Sequence, residues 1–470
     1  MSILRRSRFA PIAAALACAA LPASAAGEVG EVGAASIGDP YFPDAGNGGY
    51  DVSSYDLELD YTPKKNLLVG EALITATAKV SLDRFNLDLR DPLEVKSVRV
   101  GDAEATFEHA GHELSVTPSS QIVAGSSFAV SVNYRGKPKP VRDADGTTEG
   151  WIATSDGAFA PNEPQGSPSW YPCNDHPSDK AVFSIAITVP KKLQAVSNGS
   201  LASKTVTSGK RTWSWQQQEP MATYLATVAI GKFDLTRSDE GPVPSTFAID
   251  PAAIRNERNP EKALKPLLRT PKLTRYLQAK LVPYPFATNG GILDDVPNFP
   301  YALETQTRPI YTSPPDDYLV IHEIVHQWFG DSVTPARWKD IWLNEGFATY
   351  AEWLYSEDHD SQSAAEIFDE YYETPAREEV VWNPPPGNPG SAKQLFATSV
   401  YARGAMTLQA LRERVGDEVF FRILRAWLSE NAYGNVTTDD FIALAERESG
   451  EELSEFFDIW LFRKGKPEGW

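Results

Sequence analysis

Between Tyr50 and about Phe233 apolar and polar residues alternate in short runs, such as Tyr55-Asp56-Leu57-Glu58-Leu59-Asp60-Tyr61, Ala72-Leu73-Ile74-Thr75-Ala76 and Phe128-Ala129-Val130-Ser131-Val132. A period of two turns one side of each run toward a core, and the Gly, Pro and Asp residues between the runs mark turns. This predicts an N-terminal domain of many antiparallel strands, with the stretch 222–230 as its last strand. After Asn259-Pro260 the period lengthens. Apolar residues then recur at helical spacing over 261–281, 342–355, 400–415, 418–430 and 438–448, while 290–293 and 302–311 read as strands. The second part is therefore of the α+β class, and 470 residues are too many for one core. The chain divides into an N-terminal segment 1–25, a Gly/Ala/Glu-rich flexible leader 26–49, a β domain 50–238 and an α+β domain 239–470. The Pro-rich stretch from Trp382 to Gly390 reads as a loop that lines a cleft.

One helical run carries chemistry. His322-Glu323-Ile324-Val325-His326 sits inside an apolar stretch from Tyr318 to Phe329, and Pro314-Pro315-Asp316-Asp317 before it suits a helix start. Residues four apart share a helix face, so both imidazoles can reach one ion. Glu345, in the helical run that follows, supplies a third ligand and leaves the fourth position open, which is the pattern of a catalytic zinc site holding one Zn2+ per chain. Glu323 faces the same cavity beside the first ligand and suits the work of general base. His109, His112, His176 and His359 lie outside this pattern.

Composition narrows the setting. Residues 1–25 carry Arg5, Arg6 and Arg8, a short apolar run to Leu21 and the small-residue site Ala23-Ser24-Ala25, which reads as a signal peptide. The apolar run is too short to span a bilayer, so no stable membrane insertion is expected. Removing the segment takes the formal charge from −19 to −22, which disfavours nucleic acid and anionic membranes as partners. Of two cysteines only Cys173 would remain, so no internal disulfide is available. A secreted or extracytoplasmic monomer is expected, a lipoprotein through Cys18 being the less favoured route.

With these motifs together, the chain resembles the aminopeptidase N family of gluzincin metallopeptidases, which includes leukotriene hydrolase, from about Tyr50 to its end. The resemblance implies a saddle-like antiparallel β domain followed by a thermolysin-like catalytic domain. It implies zinc ligands His322, His326 and Glu345, with Glu323 as base. The family's Gly-Ala-Met-Glu-Asn motif corresponds to Tyr301-Ala302-Leu303-Glu304-Thr305, where the glycine is replaced but Glu304 keeps the position that holds a substrate's free amine. A second amine-binding group falls in Asn162-Glu163-Pro164-Gln165, with Glu163 preferred and Gln165 as the alternative. Val400-Tyr401-Ala402-Arg403-Gly404 matches the motif whose tyrosine donates to the oxyanion, with Arg403 in place of the usual lysine. Relatives continue into a helical domain that closes the cleft, and its absence is expected here. The function implied is release of N-terminal residues from peptides with a free amino terminus, by a zinc-activated water with Glu323 as base. A gluzincin endopeptidase and a non-catalytic peptide-binding protein are the alternatives; an epoxide hydrolase rests on analogy with leukotriene hydrolase alone.

Overall fold

The alternating N-terminal runs become one large twisted sheet in a computed structural model, which describes residues 31–469 apart from 297, 298, 300 and 361. The expected signal peptide 1–25 and residues 26–30 of the expected leader lie outside the described residues. The sheet has eight strands in the order Ser200–Thr207, Lys210–Ala222, Lys180–Pro190, Tyr50–Thr62, Leu67–Ala78, Ser127–Gly136, Leu93–Val100 and Ala103–Glu104. Its neighbours run antiparallel except Tyr50–Thr62 and Lys180–Pro190, which pair in parallel with Leu57 opposite Ile185. Along Tyr50–Thr62 the buried side chains are Tyr50 and Val52, then Tyr55, Leu57, Leu59 and Tyr61. The change of parity is made by a bulge between Val52 and Ser54, which lets both halves of the strand turn their apolar residues to the same core.

Two four-stranded sheets complete the β domain, one built around Leu82–Asp88 and one around Val228–Gly231. The stretch expected to be a single last strand, 222–230, is divided: Lys210–Ala222 ends in the large sheet, a short 3-10 turn Thr223–Leu225 follows, and Val228–Gly231 joins another sheet.

The expectation of a flexible leader is corrected for residues 31–49. Glu31–Val32 pairs with Leu82–Asp88, Phe42 and Ala45 are buried, and Asp39 accepts hydrogen bonds from His176 of the β domain and from the backbone of Trp338 in the catalytic domain. Composition concealed this because few residues make the contacts. The domain border also moves. Asp234–Ser238 pairs with Ser245–Ile249 in the catalytic sheet, whose remaining strands are Asn289–Leu293 and Ile310–Tyr311, so the break falls before residue 234 rather than after 238.

Helices cover this second sheet. The run 261–281 forms two helices, Pro260–Leu268 and Thr270–Lys280. Pro271 has no N–H to donate to the preceding turn, and the Thr270 hydroxyl bonds the Leu267 carbonyl instead. Residues 302–311 are a strand only at Ile310–Tyr311. Leu303 makes an isolated bridge to Ile310, and the chain reverses between them through Thr307, whose φ is +65°. The loop expected to line the cleft packs elsewhere: Gly387 donates to the Leu461 carbonyl in the C-terminal segment.

The helices Trp342–His359 and Thr398–Val415 cross where Gly346 meets Gly404. A Cβ on Gly404 would lie 2.9 Å from the Gly346 Cα, and one on Gly346 would lie 3.0 Å from Gly404 backbone. This close approach brings the helix bearing Tyr401 against the one bearing Glu345. Beside it, Arg403 is fully buried and donates five hydrogen bonds, to the carbonyls of Trp382, Ile459, Trp460, Arg463 and Gly465. Gly404→Ala gains about 1 kcal/mol in helix propensity and loses about 1–3 kcal/mol to overpacking against rigid backbone. A net fall in melting temperature is the expected outcome, and a rise would mean that the two helices part without penalty.

Candidate metal and substrate site

The ligand helix runs Asp317–Val325, with the Asp316 side chain capping it by accepting from Leu319 N at 2.9 Å. Its buried apolar residues Val320, Ile321, Ile324 and Val325 seat it in the core. His326 is the C-terminal cap in right-handed helical conformation, so the helical offset from His322 is kept although the helix ends there. Glu345 comes from the first turn of Trp342–His359, which is buried on most sides.

These elements bring the three expected ligands together. One Glu345 oxygen lies 3.3 Å from His322 Nε2 and 3.4 Å from His326 Nε2. Tetrahedral zinc with bonds of about 2.0–2.1 Å requires ligand atoms about 3.3–3.4 Å apart, so the donor set fits the ion in chemistry and spacing. Both Nδ1 atoms are tied back: His322 Nδ1 to Glu352 at 2.7 Å and His326 Nδ1 to the Phe329 carbonyl at 3.1 Å. That leaves each Nε2 facing the shared point, with the tautomer set by the second partner.

Glu352 is a functional residue that the sequence reading missed. Its signal was present, since it follows Glu345 by seven residues on one helix and so lies on the same face two turns later.

A cavity of about 590 Å³ opens onto these atoms, and its wall includes His322, Glu323, His326, Glu345, Glu352, Tyr401, Glu163 and Glu304. All seven expected site residues thus border one space. Gln165, the alternative to Glu163, does not. It accepts from Arg90 and donates to Asp143 on the far side of its loop. Carboxylate oxygens of Glu163, Glu304 and Glu345 lie within 4.8 Å of one another, and Glu163 Oε1 and Glu304 Oε1 are buried with no hydrogen-bond partner. Gln327, directly after the second ligand histidine, holds the segment around Glu304 by donating to the Glu304 carbonyl and accepting from Thr307 N.

Electrostatics separate the carboxylates. Burial opposes ionisation of Glu345, but the imidazoles of His326 and His322 outweigh it and hold its carboxyl down at about 2. Burial pushes Glu323 up to about 8, against the pull of the histidines and with the help of Glu304 and Glu345. Glu163 is driven well above the carboxylate range by burial and then by Glu304 and Glu345. Glu304 is raised by burial, with His326 opposing. Two buried carboxyls without a cation are costly unless an ammonium joins them. Burial and the carboxylates around it keep the Tyr401 phenol protonated, a donor toward the cavity, and its ring stacks beside His322 at 6.2 Å.

Glu352→Gln keeps the shape but weakens the hold on His322. Zinc affinity should fall about 10–100-fold, as measured by competition with a chromogenic chelator; unchanged affinity would remove Glu352 from this role.

The chain matches two family models, the peptidase M1 N-terminal domain over residues 52–225 and the peptidase family M1 domain over residues 311–460. The crystal structure of an M1 zinc metallopeptidase from Deinococcus radiodurans superposes with a TM-score of 0.83 at 30% identity, over 92% of this chain and 99% of that one. A mutant of that enzyme bound to a Tyr-Ser-Ala substrate superposes equally well, with a TM-score of 0.83 at 29% identity. Among curated proteins, aminopeptidase M1 of Arabidopsis thaliana is 28% identical over 335 residues, 65% of this chain and 36% of the plant protein. Aminopeptidase M1-D of Oryza sativa subsp. japonica is 26% identical over 432 residues, 84% of this chain. The chain spans 46% of that rice protein, less than half the length of either plant relative. With the ligand set, the two-domain architecture and these likenesses in agreement, the chain belongs to the peptidase M1 family of zinc metallopeptidases.

Proposed function

We propose that this protein is an aminopeptidase that removes single residues from the free amino terminus of peptides. The observation that carries the reading is the pair of buried, unpartnered oxygens on Glu163 and Glu304 within reach of Glu345. An ammonium that pairs with both is fixed at one distance from the ligand set, so only the first peptide bond lies over it. An endopeptidase has no use for buried anions at this place.

His322, His326 and Glu345 would hold zinc, which would supply Lewis-acid chemistry for a carbonyl and lower the pKa of water toward about 7. Glu323 accepts a proton from the attacking water and passes it to the leaving amine. The Tyr401 phenol donates to the oxygen that gains charge in the transition state. Glu163 and Glu304 orient the substrate by its amine, and Gln327 keeps Glu304 in place. Residues 1–25 support action outside the cytoplasm, and a mature chain beginning just after Ala25 is the expected product of export.

Glu323→Gln should keep zinc and lose at least about a hundredfold in kcat; near-native turnover with zinc bound would reject it as the base. N-acetylation of a peptide should abolish its hydrolysis, and Glu304→Ala should raise KM for the unblocked peptide more than it lowers kcat. Equal cleavage of blocked and unblocked peptides would favour the endopeptidase reading.

A further inference from the structure

Among the described residues, six carboxylates and no Lys or Arg line the cleft: Asp145, Glu163, Glu304, Glu323, Glu345 and Glu352. Five are accounted for by the amine anchor, the base, a ligand and the tether of His322. Asp145 is not. It stands at the tip of a two-stranded hairpin from the β domain, Val141–Arg142 with Thr148–Glu149. The hairpin is held against the catalytic domain by the Tyr301 hydroxyl, which donates to the Thr148 carbonyl at 3.0 Å. At its base Gln165 donates to Asp143 and to Glu149. Asp145 Oδ1 accepts from the Thr147 backbone and hydroxyl, both at 2.7 Å, and no cation pairs with this carboxylate among the described residues.

We propose that Asp145, with the ring of Tyr301, selects substrates whose first residue carries a cationic side chain. The inference rests on the aminopeptidase reading of the site. An amine seated on Glu163 and Glu304, with its carbonyl toward the ligand set, leaves the first side chain to extend along the β-domain wall, because Glu163 itself belongs to that wall. On that side of the cavity Asp145 offers an acceptor and Tyr301, from the catalytic domain across the hairpin contact, an aromatic ring, the two groups that bind an ammonium or guanidinium together. The other acidic side chains that line the cleft share its sign, so an acidic first side chain is disfavoured there.

The test is calorimetric binding of L-lysinamide and L-norleucinamide, which differ by the terminal amine, to zinc-loaded protein carrying Glu323→Gln so that turnover does not interfere. Lysinamide should bind roughly tenfold tighter at low salt, and the ratio should narrow as ionic strength rises. Adding Asp145→Asn keeps the Oδ1 that caps the turn; it should bring the ratio close to one while leaving norleucinamide unchanged. A ratio near one in the parent, or one that survives Asp145→Asn, overturns the proposal. Hydrolysis of leucine p-nitroanilide by the unmodified enzyme is read alongside. Its absence would defeat the aminopeptidase reading while the binding ratio still decides the role of Asp145.

Discussion

A carboxylate kept ionised inside a protein needs a cation close at hand, and the site is organised around that requirement at Glu345. Burial works to neutralise it, the two imidazoles within 3.4 Å favour its charged form, and a zinc ion shared with them would supply the cation. Their position depends in turn on how two helices are held. The ligand helix is capped by Asp316 and seated by its apolar face, and the Glu345 helix is clamped against Thr398–Val415 where two glycines touch. Glu352 and the Phe329 carbonyl then orient the rings. Loosening any of these moves a ligand atom, and a tetrahedral site tolerates little displacement.

The anionic anchor is a product of two domains. Glu304 belongs to the catalytic domain and Glu163 to the β domain, so their separation is set by the packing between domains rather than by either alone. Direct hydrogen bonds fix that packing. Lys180 donates to the carbonyls of Asp331 and Ser332, Arg308 donates to Gly199, and Asn198 donates to Gln306. Lys180 is half-buried there, and desolvation pushes its ammonium down to about 7 against the pull of Asp331. The segment 31–49 adds a strap, with Asp39 accepting from both sides.

Much of the chemistry was legible in the chain because it is written at short range. His322 and His326 stand four apart on a helix and Glu323 beside them, and the backbone geometry of a helix turns that spacing into a shared face wherever the helix is placed. The β domain and the helices of the second domain follow from hydrophobic periodicity in the same way. The breaks were less legible. A helix restarting at Pro271, a turn through Thr307 and a strand that changes sheets after Ala222 depend on what each segment packs against.

The strap at Asp39 and the place of Asp145 in the cleft were visible only in the tertiary structure, whereas Glu163 was reached in advance through the family resemblance. Asp39 is separated from His176 and Trp338 by more than a hundred residues, and nothing in local sequence distinguishes it or Asp145 from solvated acids. Glu352 is intermediate: its helical register with Glu345 was readable, but not that its oxygen would meet His322 Nδ1. The chain alone determined which residues can act and which of them share a local face. Which distant carboxylates converge was decided by burial of the common core, since only that large favourable energy holds like charges together without water between them.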